Sequence, residues 1–145
     1  MRSDEAFSVP PQLANASVRV CELPLSSVWL MDNQRFPWLL LIPRVAGVSE
    51  LIDLSEADQS ALWREIADAS RALRELFTPD KLNVAMIGNL VPQLHVHVIA
   101  RFRADDAWPK PVFGFAPPIA YAEERRAALV RELQGRLLGE AAGVE

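Results

Sequence analysis

One stretch of this chain carries helical periodicity long enough to cover a sheet, and it stands between two stretches of short apolar runs broken by turn residues. Ser55 precedes Asp58 by three residues, the spacing of an N-capping pair, and Leu62, Ile66, Ala69, Leu73 and Leu76 follow at alternating steps of four and three. That spacing predicts a long amphipathic helix ending near Thr78-Pro79. Before it, Ser27 to Met31 and Trp38 to Ile42 are rich in Trp, Val, Leu and Ile and are bounded by Asp32-Asn33, Pro37 and Pro43, the signature of two strands in a hairpin. After it, Leu82 to Ile87 reads as a strand, Gly88-Asn89 as a turn and Leu90 to Phe102 as a second strand. The proline-rich segment from Phe102 to Pro118 reads as an irregular surface connection. A closing helix covers about Tyr121 to Leu138, inside residues 120–139, with Ala128, Leu129, Leu133 and Leu137 on one side. Strands gathered in hairpins with helices set apart predict an α+β fold built on an antiparallel sheet.

No repeat or low-complexity tract interrupts the 145 residues, and the eleven prolines are scattered as punctuation, so a single domain over 1–145 is expected. Residues 1–16 read as a loose arm or a short helix. Half of the residues are apolar, enough for a real core. A net charge of -4 argues against the basic face that DNA or RNA requires, so no nucleic-acid partner is expected, though local arginines can hold a small anion. The lone Cys21 has no partner for an internal disulfide, and the first thirty residues lack a secretory layout. No apolar run reaches the roughly 18 to 20 residues that a bilayer demands. A cytoplasmic location without membrane association is the expectation.

Both histidines of the chain lie in Gln93-Leu94-His95-Val96-His97-Val98-Ile99. On an extended strand successive side chains alternate, so Gln93, His95 and His97 share one face and Leu94, Val96 and Val98 the opposite, inward one. Polar groups spaced roughly 6 to 7 Å along a strand can touch one phosphate. A neutral imidazole leaves one nitrogen free to attack phosphorus, and a second imidazole can donate to oxygen. Two other readings stand beside this one. The face is a solvated strand side with no ligand, or His-x-His is part of a metal site, for which the usual third and fourth ligands are missing nearby. Trp29, Trp38 and Trp63 fit apolar patterns and are expected in the core, while Arg44, Arg101 and Arg103 are expected on the surface and Cys21 as an inert thiol.

The Gln93 to Ile99 segment resembles the histidine triad signature, His-Φ-His-Φ-His-Φ-Φ with Φ apolar, glutamine standing in place of the first histidine. Gly88-Asn89 resembles the family's Gly-Gln or Gly-Asn pair, and Leu30-Met31-Asp32 with Pro37 to Arg44 resembles its ribose-binding position and its strand ending in Pro-Arg or Pro-Lys. The resemblance covers roughly residues 20 to 115. It implies a five-stranded antiparallel sheet with a long central helix and a C-terminal helix, often paired as a homodimer. It also implies a hydrolase or nucleotidyl transferase working without cofactor or metal on dinucleoside polyphosphates such as diadenosine tetraphosphate, or on nucleoside phosphoramidates. By the same resemblance His95 is the nucleophile that forms a nucleotidyl-histidine, and His97 contacts phosphate and assists the leaving group. Asn89 holds a phosphate oxygen, Asp32 accepts from the ribose hydroxyls, and Trp108 lies in a tail that approaches the site. Gln93 departs from the pattern, because an amide can donate a hydrogen bond but cannot shuttle a proton. Asn83 receives no role. A binding module that has lost turnover, and a metal-binding His-x-His protein, remain the alternatives.

Overall fold

The computed structural model describes residues 6–139. A short helix α1 (Pro11–Ala14) leads into three strands, β1 (Ser17–Glu22), β2 (Ser26–Met31) and β3 (Trp38–Pro43); a one-turn 3-10 helix (Leu51–Asp53) and the long helix α2 (Glu56–Phe77) follow. The chain then adds β4 (Lys81–Ala85), β5 (Val96–Arg101) and the C-terminal helix α3 (Glu123–Leu137). The five strands form one antiparallel sheet in the order β1-β2-β3-β5-β4. The α+β architecture, the helix between two strand groups and the closing helix are therefore as the sequence predicts.

Local chemistry explains the helix limits. The Ser55 side chain accepts a hydrogen bond from the Asp58 N–H at 3.1 Å, satisfying an amide that has no partner inside the helix. At the other end Thr78 turns left-handed, with φ 45°, and its N–H closes on the Arg74 carbonyl before Pro79 forbids another helical turn. The predicted stripe is the buried one: Leu62, Ile66, Ala69 and Leu73 pack with Val96, Val98, Ala100, Leu39 and Leu41 in a core between the sheet and α2. α3 adds Leu129, Leu133 and Leu137 to this layer, and Cys21 is folded into it.

The sheet is covered on its second face as well. Leu13, Phe36, Trp38, Leu40, Ile42, Ile99, Ala107 and Val112 form another apolar cluster, so β3 and β5 are buried along their full length. The face that sequence alternation marks as polar is thus roofed by α1, by the β2–β3 connection and by the segment after Phe102.

Two expectations are corrected and one strand is added. The second strand of the later hairpin does not start at Leu90: residues 86–95 are irregular and the ladder begins at Val96, while β4 ends at Ala85. Gly88 turns with φ +67°, Pro92 has no N–H to give to a ladder, and the Leu94 N–H goes to the Val48 carbonyl at 2.9 Å instead of to β4. The loose arm or short helix expected over 1–16 is, within the described residues, the short helix α1, which runs straight into β1, a strand that apolar runs alone did not reveal; residues 1–5 lie outside the described part. Trp63 stands on the outer face of α2 and is 54% exposed, so it is no core residue.

One buried carboxylate ties the two layers together. Glu65 on α2 is 4% exposed and accepts from the backbone N–H groups of Leu25 at 2.8 Å and Ser26 at 3.0 Å, which fixes the β1–β2 turn to the helix. Removing it strands two amides away from water. Glu65→Ala is expected to cost about 2 to 4 kcal/mol, whereas Glu65→Gln, which keeps one acceptor oxygen, loses less. Urea unfolding of the two variants measures this, and equal stability of Glu65→Ala and the parent chain would show that the turn is not held from the helix.

Candidate functional site

The two imidazoles emerge where the irregular segment 86–95 becomes β5. Their ring centroids are 5.0 Å apart, and they meet edge to face. His95 is 5% exposed and His97 8%. The solvated-face reading therefore does not describe them.

Each ring has one nitrogen whose role the backbone or a neighbour decides. His95 Nδ1 lies 2.7 Å from the Gln93 carbonyl oxygen. That oxygen has no proton to give, so Nδ1 carries the hydrogen and the lone pair of the neutral ring sits on Nε2. For His97 the polarity is reversed. The Trp38 indole Nε1–H donates to His97 Nδ1 at 3.0 Å, and an indole can only donate, so the Nδ1 lone pair is used and the neutral ring carries its proton on Nε2. Side by side stand one imidazole with a free lone pair and another with a free N–H, a nucleophile and a hydrogen-bond donor.

The sheet register explains how Trp38 reaches its partner. Trp38 lies opposite Ile99 and Leu40 opposite His97, so Trp38 and His97 are diagonal neighbours on one face, within reach of a large ring. Phe113, from the irregular segment after β5, closes over both, with centroids 4.8 Å from His97 and 5.7 Å from Trp38. Burial among these rings, with the adjacent His95 adding to it, pulls the His97 pKa from its ordinary 6.5 down to about 4.

The segment that leads to Phe113 is fastened by a buried guanidinium. Arg101, at the end of β5, is 2% exposed; its Nε and Nη2 donate to the two Asp105 oxygens at 2.8 and 3.1 Å, Nη1 donates to Asn83 Oδ1 and Nη2 to the Lys110 carbonyl. Burial pushes the Asp105 carboxyl up, but Arg101 and the amides of Phe102, Ala107 and Trp108 outweigh it and hold that group at about 2. Arg101 is therefore no surface arginine. It organises the turn from which the chain returns to His97, and it gives Asn83 a structural task.

The remaining candidate residues are dispersed. Gln93 precedes the ladder, and its side-chain amide faces the carbonyls of Pro43, Val45 and Leu94 at 3.4 to 3.5 Å, so it does not complete a row of three with the imidazoles. Its main-chain oxygen is what meets His95. Asn89 is exposed in the segment leading to His95, beside Gly88, which with Ser49, Glu50 and Met86 borders a small recess at the His95 ring. Asp32 is tied to the C-terminal segment: one oxygen accepts from the Tyr121 N–H at 2.9 Å and the other from Arg126 at 2.7 Å. Trp108 lies over the Arg101 guanidinium, 5.7 Å from the ring centroid, and not on the imidazoles. Among the described residues no three His, Cys, Asp or Glu side chains gather as a metal-ligand set.

Trp38 and Phe113 are the residues that sequence reasoning missed at the site. Trp38 has the alternation of a core position, and only the β3–β5 register turns its N–H toward His97. Phe113 is sixteen residues from His97 in a segment without periodicity, and no sequence signal points to it.

The depressed His97 pKa links stability to pH. Between about pH 6.5 and 4 the unfolded chain binds a proton that the folded chain refuses, so stability falls as the pH drops through that window. The loss attributable to His97 amounts to at most about 3 kcal/mol. Urea unfolding at pH 7.5 and pH 4 should show a steeper decline for the parent chain than for His97→Gln, and parallel declines would contradict the burial of a neutral ring.

The HIT domain family model matches residues 12–104. Among solved structures, a histidine triad protein of Bradyrhizobium japonicum superposes with a TM-score of 0.90 at 43% identity, covering 92% of this chain and 99% of the other. One from Marinobacter aquaeolei gives 0.90 at 41% identity, over 94% and 100% of the two chains. A third, from Sinorhizobium meliloti, gives 0.88 at 34% identity, over 90% and 97%. No curated protein matches the chain. No helix among the described residues is long and apolar enough to cross a membrane. With a matching family model over most of the sheet and relatives of this identity over nearly the whole chain, the protein belongs to the histidine triad family.

Proposed function

We propose that this protein hydrolyses or transfers nucleotidyl groups through a covalent nucleotidyl-histidine on His95, acting on dinucleoside polyphosphates or nucleoside phosphoramidates. The observation that carries the reading is the polarity of the two rings: the Gln93 carbonyl leaves His95 Nε2 with a lone pair, and Trp38 leaves His97 Nε2 with a proton, 5.0 Å away between centroids. In the first step Nε2 of His95 attacks phosphorus, a P–N bond forms, and the bond to the leaving group breaks with its electron pair departing on the leaving atom. Water then attacks the same phosphorus and the P–N pair returns to Nε2, releasing the nucleoside monophosphate and a proton to solvent. Splitting one displacement between two anionic reactants into two steps is the gain of covalent catalysis, and ping-pong kinetics are its signature.

Asn89 and the amides around Gly88 are suited to meet phosphate oxygens beside His95. Asp32 and Trp108, engaged by Arg126 and Arg101, take no part in this reading. A homodimer of the kind the family resemblance implies is compatible with it and is not needed for the chemistry of one site.

Mass spectrometry of protein quenched during turnover of diadenosine tetraphosphate or an adenosine phosphoramidate tests the intermediate. Added nucleotide mass is expected on His95, in the presence of EDTA. His95→Ala is expected to reduce turnover to background while AMP affinity stays within about tenfold, since the nucleophile serves the transition state more than ground-state binding. Retention of most of the rate in His95→Ala would remove the assigned nucleophile, and loss of rate to EDTA would favour a metal site. AMP binding without any turnover of the parent chain would instead favour a module that has kept the pocket and lost the reaction.

A further inference from the structure

We propose that Trp38 is a positioning residue that locks His97 as a permanent Nε2–H donor, and that this lock makes the site favour leaving groups that depart as stable anions over those that must be protonated. The proposal rests on the nucleotidyl-transfer reading and deepens it. Its basis is the Trp38 Nε1–H on His97 Nδ1 at 3.0 Å, together with the enclosure of the same ring by Phe113 and by Trp38 itself.

An imidazole free to rotate or exchange protons can present either nitrogen as donor. His97 has no such freedom. Its Nδ1 faces an indole that has a hydrogen and no lone pair in the ring plane, so protonating Nδ1 would set two N–H groups against each other at a buried position. Trp38 is 8% exposed and His97 8%, and Phe113 stands edge to face against the His97 ring, so a flip that exchanged the two nitrogens would give up the bond from Trp38. The tautomer is therefore set by the β3–β5 register and not by the substrate.

The consequence for chemistry concerns proton count. When His95 displaces the leaving group, the electron pair of the broken bond goes with the leaving atom. A leaving group that ends in phosphate carries that pair as a delocalised oxyanion, for which a hydrogen bond from His97 Nε2 is sufficient help. An amine leaving group would depart as a strongly basic anion unless a full proton reached it. His97 held neutral can give that proton only by becoming an anion itself, and the Gln93 amide, turned to the carbonyls of Pro43 and Val45, cannot shuttle one. Anhydrides are thus the substrates matched to this pair of rings, and phosphoramidates are the poorly matched ones.

The test uses the full chain labelled with nitrogen-15 in histidine and long-range proton–nitrogen correlation spectra, which separate protonated from unprotonated ring nitrogens. In the parent protein His97 is expected to show an unprotonated Nδ1 and a protonated Nε2. Trp38→Phe keeps a ring in place and deletes the N–H; His97 should then sample both tautomers while His95 keeps its own. The ratio of kcat/KM for diadenosine tetraphosphate over adenosine phosphoramidate should fall by about tenfold, the scale of one hydrogen bond lost from a transition state. A protonated Nδ1 in the parent spectrum overturns the lock without recourse to any variant, as does an unchanged tautomer in a folded Trp38→Phe. An unchanged substrate ratio beside an altered tautomer overturns the selectivity. The spectra read the lock even if no nucleotide is turned over, so failure of the hydrolase reading and failure of this inference are separate results.

Discussion

A polar ring on a covered sheet face has little surface left through which water could complete its hydrogen bonds, and His97 is such a ring. Its position on β5 places it under a second apolar layer, so each nitrogen must find its partner within the fold or point into a site. Trp38 answers for one nitrogen across the β3–β5 ladder, and the other is left for chemistry. The irregular approach through residues 86–95 has a related logic. Because the chain is not in a ladder there, the Gln93 carbonyl is free of β pairing and can accept from His95. A regular strand from Leu90 onward would have committed that oxygen to a neighbour.

Beyond the imidazoles, the buried charged residues among those described are Glu65 and Arg101, and both serve placement. Glu65 fastens the β1–β2 turn to α2, and Arg101 with Asp105 fastens the return segment that brings Phe113 over His97. Desolvating a guanidinium and a carboxylate costs several kcal/mol, so such a pair contributes little net stability. It does define geometry: Arg101 has its fork on Asp105, its remaining donors on Asn83 and Lys110, and its flat face near Phe36 and Trp108.

The sequence was most legible where periodicity and capping agree. Ser55, the stripe from Leu62 to Leu73 and Thr78-Pro79 mark α2 from its own residues, because helical hydrogen bonds are local. The juxtaposition of His95 and His97 followed from alternation near the start of β5, and the family from the motif around it. Long-range matters were not legible. Whether Trp38 is filler or a donor depends on which residue of β5 lies opposite, and Arg101 reads as surface charge until the turn at Asp105 folds over it. Gln93 shows the same limit in reverse. Its side chain suggested a third member of a row, yet the ladder begins only at Val96 and the Gln93 amide turns to Pro43 and Val45.

Cys21 adds a practical property to this design. Burial, with Glu22 and Glu65 adding to it, pushes the thiol up to about 11, so almost no thiolate exists at neutral pH while the chain is folded. Alkylating reagents and oxidants act on the thiolate, and β1 offers them none. The single thiol of the molecule is thus a built-in reporter of opening: labelling at Cys21 counts the moments when β1 and the helix α3 packed on it part, with no probe introduced into the core.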